Sequence, residues 1–258
     1  MRAAVCVLAL AWAVTLAWGQ GVPRPDPSRR SDALGMTAEL QAMQADDARN
    51  PAMLWVAQGA QLWNQTAGGA AKSCASCHGE PSGLRGAAVR YPALDAESGR
   101  AVDLAQRINL CRTRHQQAAP LAWESDDLLA LEALVARQSR GMALAPDADP
   151  RLQSTRNLGR ELFGRRMGQL NLSCMNCHDE RAGLHLGAAT IPQAHPLSYP
   201  QYRLEWQSVG SLQRRLRNCL SGIRAQPWPL GSDELVALEL YLAERARGMA
   251  SEAPGIRP

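Results

Sequence analysis

Apolar residues recur along this chain at intervals of three and four positions, which is the spacing of amphipathic α-helices. The pattern predicts helices over residues 54–63 and 158–167, and two further helices that begin after Ser125 and Ser232. Both serines are favourable N-cap residues, and acidic side chains follow them in the first turn. No long run alternates between apolar and polar residues as a strand would, so the pattern predicts an all-α fold.

The chain repeats itself with a period near one hundred residues. Residues 125–132 align with residues 232–239 at a separation of 107 residues, and residues 140–142 align with residues 247–249 at the same separation. The glycine at the centre of each of the latter segments is expected to end a helix. Two copies of one module explain these matches.

The repeat and the composition of the connecting segments predict the domain organisation. Residues 20–50 are expected to form an N-terminal arm that is loose near its proline-rich start. The two copies are predicted to occupy residues 51–145 and 146–258, with a linker rich in Pro and Asp over residues 143–149.

The N-terminus has the features of a cleaved secretory signal. Arg2 precedes an apolar run over residues 3–17, and small residues follow at the expected cleavage site, which predicts a signal peptide over residues 1–19. The run is shorter than the roughly 20 residues that a membrane-spanning helix needs. We therefore expect a periplasmic protein with no stable membrane span.

The charge of the chain favours anionic ligands. Lys and Arg number 28 against 24 Asp and Glu, a net charge of +4, and Lys72 is the only lysine. A modest positive field outside the cytoplasm suits an anionic substrate or an acidic partner better than nucleic acid.

Two Cys-x-x-Cys-His runs carry the clearest chemistry. They consist of Cys74, Cys77 and His78 in the first copy and of Cys174, Cys177 and His178 in the second. In this motif the two thiols attach a haem c covalently and the histidine reaches its iron. A zinc site would need two more ligands per cysteine pair, and a disulfide framework would not require the histidine. The sequence therefore predicts two covalently bound haem c groups.

A single cysteine trails each motif, Cys111 in the first copy and Cys219 in the second. An interdomain disulfide, inert buried thiols and distal iron ligands are three possible roles. Equivalent positions of a repeat are generally far apart, which argues against the disulfide. Each cysteine falls between its haem motif and the closing helix, which favours distal ligation, and a thiolate ligand would lower the reduction potential.

Other residues compete for the distal position. Met142 and Met249 follow the closing helices, which is late in the chain for a residue that must reach the iron. His115 stays open as an alternative ligand of the first iron, because it lies four residues beyond the first trailing cysteine. His185 and His195 are loop histidines near the second motif.

Arg215 lies four residues before Cys219, so in a helix both side chains share one face. This arginine could stabilise a thiolate or hold an anion against the sulfur. Arg107 stands in the same relation to Cys111, so the sequence does not decide which copy is active.

The order of helix, haem motif, loop, distal ligand and closing helix resembles a class I cytochrome c domain. The two motifs, the trailing cysteines and Arg215 together resemble the SoxA subunits of periplasmic SoxAX cytochromes, over essentially the whole mature chain. The resemblance implies two tandem class I cytochrome c-like domains, each wrapped around one covalently bound haem.

The resemblance also implies an activity, in which thiosulfate is joined to a cysteine of a carrier protein with release of two electrons. Cys219 would be the catalytic residue as a cysteine persulfide, and Arg215 would bind substrate, with help from Arg217 or Arg247. His78 and Cys111 would belong to an accessory haem. The implied partners are a small monohaem cytochrome, SoxX-like, and a sulfur carrier, SoxYZ-like.

Two other functions compete with this one. A plain dihaem electron-transfer cytochrome would have His/Met or His/His ligands and no substrate. A dihaem peroxidase would need one iron with an open distal position.

Overall fold

The computed structural model describes residues 28–258, and this part of the chain is mainly helical. Its α-helices are Ala38–Ala45 (α1), Met53–Asn64 (α2), Ala75–His78 (α3), Leu104–Cys111 (α4), Asp126–Arg137 (α5), Gln153–Gly164 (α6), Cys174–His178 (α7), Leu212–Gly222 (α8) and Asp233–Arg245 (α9). The signal sequence predicted over residues 1–19 lies outside the described residues. Among residues 28–258, no helix combines the length and apolar character that a membrane span requires.

The strands are only two or three residues long. They are Ala93–Asp95 (β1), Arg100–Val102 (β2), His185–Leu186 (β3), Ala189–Thr190 (β4), Gln201–Arg203 (β5), Ser208–Gly210 (β6) and Gly255–Arg257 (β7). β1 pairs with β2 and β3 with β4, both antiparallel. β5 lies between antiparallel β6 and parallel β7 in a three-stranded sheet.

The helices predicted before the haem motifs are α2 and α6. α2 matches its predicted range to within one residue at each end, whereas α6 begins five residues earlier and ends three residues earlier than predicted. It ends early because Met167 pairs with Leu172 in a short antiparallel bridge instead of continuing the helix. This bridge turns the chain directly into the second haem motif.

The closing helices α5 and α9 begin as predicted, since the hydroxyls of Ser125 and Ser232 each accept a backbone N–H three residues further on. They end before the predicted glycines, which adopt left-handed conformations with φ of +79° at Gly141 and +83° at Gly248. The glycines therefore shape the turn that follows each helix, and the helices themselves end before them.

In both copies a glycine allows the first and last helices to touch through their backbones. A Cβ atom on Gly59 of α2 would lie 2.2 Å from the carbonyl oxygen of Ala130 in α5. A Cβ on Gly159 of α6 would lie 2.1 Å from the carbonyl oxygen of Ala237 in α9. Real Cβ atoms do not come so close to oxygen, so both crossings require glycine.

The two copies meet through equivalent segments. Ala143 forms an antiparallel bridge with Ala250, so the segment predicted as a linker pairs with the matching segment of the second copy. Met142 and Met249 pack beside this bridge in one apolar cluster. Because equivalent residues face each other, the two copies are related by an approximate two-fold axis.

Buried acids lie between the copies. Glu132 of α5 and Glu239 of α9 are equivalent residues, and both line a cavity at the interface together with Asp103. Asp103 accepts a hydrogen bond of 2.6 Å from Gln213 of the other copy. Burial raises the pKa of Asp103 to about 7 and raises the pKa values of both glutamates well above their usual range. These carboxyl groups therefore hold their protons more tightly than exposed ones.

The described part of the N-terminal arm packs on the second copy. Asp32 pairs with Arg257 of β7 at 2.7 Å, and Arg257 also pairs with Glu252 at 2.8 Å. Gln44 of α1 accepts the backbone N–H of Ile256 at 2.9 Å. Residues from the beginning and the end of the described chain thus join to cover one side of the second copy.

Candidate functional site

The first haem motif opens onto an apolar cavity. α3 supplies Cys77 and His78, Cys74 precedes it, and α4 supplies Cys111 to the same cavity. The remaining lining is mostly apolar and includes Trp63, Leu84, Leu104, Ile108, Leu131 and Val135. A histidine, two attachment thiols and a third cysteine thus surround one space suited to a large apolar group.

The second copy has a similar cavity with a better-held histidine, although Cys174 and Cys177 do not line it. Cys174 packs against the apolar cluster that includes Leu242. His178 of α7 and Cys219 of α8 line one cavity, and Leu212, Leu216 and Leu242 supply apolar walls. His178 Nδ1 lies 2.7 Å from the backbone oxygen of Pro192. A carbonyl only accepts hydrogen bonds, so Nδ1 carries the proton and Nε2 is left free to bind a metal. No described residue hydrogen-bonds to the His78 ring, whose nearest aromatic contact is Trp63 at 5.8 Å between centroids.

The residues around both cavities suit a haem, with the attachment cysteines Cys74 and Cys77 lining the first cavity and Cys174 packing beside the second. All six cysteines of the described chain are free thiols, and Cys111 and Cys219 lie in separate cavities, so the disulfide considered for them is not formed. Burial raises the pKa of the Cys111 thiol, and it raises the pKa of Cys174 to about 11. Among residues 28–258, no group of three or more His, Cys, Asp or Glu side chains has the arrangement of a metal site.

The residues that compete as distal iron ligands lie in different parts of the structure. Met142 and Met249 pack between the copies and line neither haem cavity. His115 lines the first cavity and stays an alternative there. His195 lines the second cavity, with its Nδ1 3.0 Å from the backbone oxygen of Arg30, whereas His185 lies exposed on β3.

In the first copy a buried carboxylate pairs with the arginine near the cysteine. Asp95, at the end of β1, has only 2% of its side chain exposed and lies 3.0 Å from Arg107. Arg114 donates two hydrogen bonds of 2.8 Å to the same carboxylate. These hydrogen bonds hold the pKa of Asp95 well below its usual range. The positive charge of Arg107 is therefore already matched.

In the second copy that carboxylate is replaced by an arginine. Arg203, at the end of β5, is separated from Asp95 by the same 108 residues that separate Arg215 from Arg107. Arg203 and Arg215 line the cavity that holds Cys219. Burial and the nearby Arg215 lower the pKa of Arg203. The Arg215 guanidinium forms no ion pair or hydrogen bond with any residue from 28 to 258, so its charge is available to a ligand.

α8 places Arg215 and Cys219 one turn apart, as the sequence predicts, and begins with Ser211 as its N-cap. Tyr199 lies in the same cavity, and its hydroxyl accepts a hydrogen bond of 3.1 Å from Gln201. Burial raises the pKa of Tyr199 far above that of free tyrosine, so this phenol stays protonated. The cavity thus combines a cysteine, unpaired positive charge and a neutral hydroxyl.

Arg217 and Arg247, considered as helpers of Arg215, do not line the cavity. Arg247 instead donates to the backbone oxygen of Pro146 at 3.1 Å. Sequence reasoning missed Arg203, although the separation of 108 residues that matches the trailing cysteines also pairs it with Asp95. Extending that alignment along the strands would have revealed the reversal of charge.

Both copies match known cytochromes in sequence. A family model described as "SoxA/TsdA, cytochrome c domain" matches residues 58–144 and again residues 158–251. A protein of Pseudaminobacter salicylatoxidans, named L-cysteine S-thiosulfotransferase subunit SoxA, is 35% identical over 222 residues, which are 85% of this chain and 78% of that protein. The chain belongs to the SoxA family.

Further relatives support membership of this family. A Rhodovulum sulfidophilum protein of the same name is 36% identical over 86% of this chain and 77% of its own length. The crystal structure of SoxXA from P. pantotrophus superimposes with a TM-score of 0.86 at 32% identity, covering 89% of this chain and 87% of the matched chain. The two separate matches to the family model confirm the prediction of two cytochrome c domains in a mainly helical fold. Domains of this type carry haem c.

Proposed function

We propose that this protein is the cytochrome subunit of an L-cysteine S-thiosulfotransferase and joins thiosulfate to a cysteine of a carrier protein in the periplasm. The observation that carries the proposal is the unpaired Arg215 in the same cavity as Cys219 and His178. The names of the relatives support it, since they are subunits of this enzyme class. The predicted signal over residues 1–19 supports the location.

Each copy holds one haem c in this proposal, two in all. The first would be attached to Cys74 and Cys77, with His78 and Cys111 as iron ligands. The second would be attached to Cys174 and Cys177, with His178 and Cys219 as iron ligands. When bound, haem accepts electrons one at a time, which suits a reaction that releases two of them.

Arg215 binds and orients the dianion. Thiosulfate carries two negative charges, and a guanidinium in a partly buried cavity offers paired N–H donors to such an oxyanion. The overall step is balanced: the carrier thiolate and the terminal sulfur of thiosulfate form one S–S bond, and two electrons leave. The product is a cysteine S-thiosulfonate with one negative charge, and no S–S bond of the substrate breaks.

Cys219 acts as the catalytic residue of this proposal, in the form of a persulfide. Its outer sulfur would form an S–S bond with the terminal sulfur of thiosulfate as the two electrons leave. The carrier thiolate would then attack that terminal sulfur, which breaks the bond to Cys219 and returns the persulfide. The carrier is a SoxYZ-like protein. The electrons pass to a small monohaem SoxX-like cytochrome, and a crystal structure of SoxXA is among the solved structures that the chain matches. A plain electron-transfer cytochrome would leave this basic cavity without a use.

The test measures reduction of the partner cytochrome that depends on both thiosulfate and carrier. We expect Cys219→Ala to abolish it and Arg215→Ala to lower its rate by about a hundredfold, the loss of a charge-assisted contact. Arg107→Ala is the matched control, because Arg107 occupies the equivalent position in the first copy. Full activity of the Arg215 variant, or equal losses in both arginine variants, would contradict the proposal.

Intact mass of the purified holo-protein tests the cofactor and persulfide assignments. We expect the mass of the processed chain with two haem groups and one additional sulfur atom, the sulfur being lost in Cys219→Ala. A single haem, or an extra sulfur that persists in the variant, would show these assignments to be wrong.

A further inference from the structure

We propose that Arg203 is a second anion-binding residue of the Cys219 cavity and makes that cavity selective for dianionic sulfur oxyanions. The inference deepens the proposed function and rests on it for the identity of the substrate. It arises from comparing one strand position in the two copies. Nothing in the haem motifs or the trailing cysteines points to this residue.

The structural equivalence is direct. Asp95 ends β1, which pairs antiparallel with β2, and Arg203 ends β5, which pairs antiparallel with β6 in the same register. Each residue is the neighbour of the arginine that precedes the trailing cysteine by four positions. In the first copy this neighbour, Asp95, neutralises the positive charge of the arginine. In the second copy the neighbour, Arg203, adds another guanidinium group beside the arginine.

The side chain of Arg203 is held in place, but its positive charge is only partly neutralised. Its side chain is 14% exposed, and its Nε lies 2.9 Å from a carboxylate oxygen of Glu205, a side chain that is 49% exposed. Its guanidinium lies 5.3 Å from the Trp206 ring centroid, which limits its motion. Its two Nη groups donate no hydrogen bond to any described residue, so they are free to bind an anion in the cavity.

The other charges of the cavity are already matched. Arg257 lines it as well, but it pairs with Asp32 and Glu252, and Asp32 is the carboxylate that faces the cavity. His195 also lines the cavity, and burial lowers its pKa, which favours the neutral ring. Arg203 is paired through its Nε with the half-exposed Glu205 but keeps its two Nη donors, and the Arg215 guanidinium has no partner among residues 28–258. These two guanidinium groups are therefore available to a ligand in the cavity. Two guanidinium groups match a dianion and leave a monoanion with an excess positive charge beside it.

Calorimetric binding of thiosulfate to the purified holo-protein, without carrier or partner, tests the inference. We expect Arg203→Gln to bind thiosulfate about ten- to a hundredfold more weakly, the loss of one charge-assisted contact. Arg203→Lys should recover part of this affinity, because it restores the charge without the paired donors. Glu205→Gln should bind thiosulfate more tightly than the wild type, because it removes the carboxylate that competes for Arg203.

Arg214→Gln is the matched control. Arg214 lies over the same Trp206 ring, at 4.2 Å, but does not line the cavity, so its variant should bind thiosulfate as the wild type does. The ratio of thiosulfate to thiocyanate affinity reports selectivity for a dianion over a monoanion. We expect this ratio to fall about tenfold in Arg203→Gln, because the second charge is lost. The thermal midpoint and the haem absorption of each variant verify folding.

The outcomes separate this inference from the proposed function. Equal thiosulfate affinity in Arg203→Gln and Arg214→Gln overturns the role of Arg203, even when carrier-dependent turnover is normal in the wild type. Weaker binding in Arg203→Gln supports it, even when no coupling to the carrier is observed and the proposed function fails. A wild-type protein that binds neither thiosulfate nor sulfate overturns both.

Discussion

The two copies share a scaffold and differ in the charge beside the trailing cysteine. In both, a glycine crossing joins the first and last helices, a serine caps the closing helix, and an arginine precedes the cysteine by one helical turn. At the end of the adjoining strand the first copy has a buried Asp95 and the second has Arg203. One reversed charge therefore distinguishes a site whose arginine is paired with a buried carboxylate from a site whose arginine is unpaired.

This difference shows where function diverges in a duplicated domain. The glycine crossings depend on backbone contact, and a side chain at either position would separate the helices. The strand position lies away from the helix crossing, and in the second copy its side chain, Arg203, lines the cavity, so this side chain could change without disturbing the scaffold. In our proposal the same repeat thus holds a haem in both copies and a substrate in only one.

The largest effect on stability should come from disrupting the glycine helix crossing that both copies share. Gly59→Ala and Gly159→Ala should each lower the free energy of unfolding by about 3 kcal/mol, because the new methyl group would overlap a backbone oxygen. Chemical denaturation of the holo-protein measures this. Gly222→Ala is the control, since a Cβ there meets nothing within 4 Å, and it should be neutral or slightly stabilising. A large loss in only one of the two copies would show that the scaffolds are not equivalent.

A smaller effect should come from removing the carboxylate that distinguishes the first copy. Asp95→Asn leaves Arg107 without its counter-charge and Arg114 with only the exposed Glu97, and it should cost about 2 kcal/mol, a value reduced by the partial exposure of both arginines. Because the pKa of Asp95 is depressed in the folded state, its stabilisation is present above the ordinary aspartate pKa and lost as pH falls through the acidic range. Denaturation at neutral and at low pH should show the difference only at neutral pH.

Glu97→Gln is the control for this experiment, because Glu97 also pairs with Arg114 but is 72% exposed and should contribute little. Asp95→Asn should also expose the positive charge of Arg107 to anions. A first copy that gains no affinity for anions would show that Asp95 alone does not close it.

The smallest effect should come from the acids at the interface between the copies. Burial raises the pKa values of Glu132 and Glu239, so the folded state keeps protons that the unfolded state releases. Stability should therefore fall as pH rises above the ordinary glutamate pKa of about 4.3. Glu132→Gln or Glu239→Gln should raise the free energy of unfolding at pH 8 by about 1 kcal/mol and leave it unchanged at pH 4. A variant destabilised at pH 8 would mean that the carboxylate is paired and not merely buried.

Much of the fold could be predicted from local signals. Ser125 and Ser232 mark the starts of the closing helices because capping depends on a few neighbouring residues, and the repeat predicts two domains. The end of α6 was predicted three residues too far along the chain, because the bridge between Met167 and Leu172 competes with helix continuation. That competition depends on tertiary structure, which residue spacing does not record.

The site could be predicted only in part. The helical spacing of Arg215 and Cys219 is a local property, and α8 has it. The pairing that neutralises Arg107 and the lining that the N-terminal arm adds to the second cavity both depend on residues from different parts of the chain. Asp95 and Arg107 come from different elements, and Asp32 reaches the second cavity from a distant part of the chain.

The contact between Asp32 and Arg257 spans 225 residues of sequence. Contacts between such distant residues form late in folding, because a large loop must close before they add stability. The second haem motif lies well before Arg257 in the chain, so its cysteines are synthesised before β7. The cavity around Cys219, which Arg257 helps to line, can therefore be completed only after the second haem motif has been made.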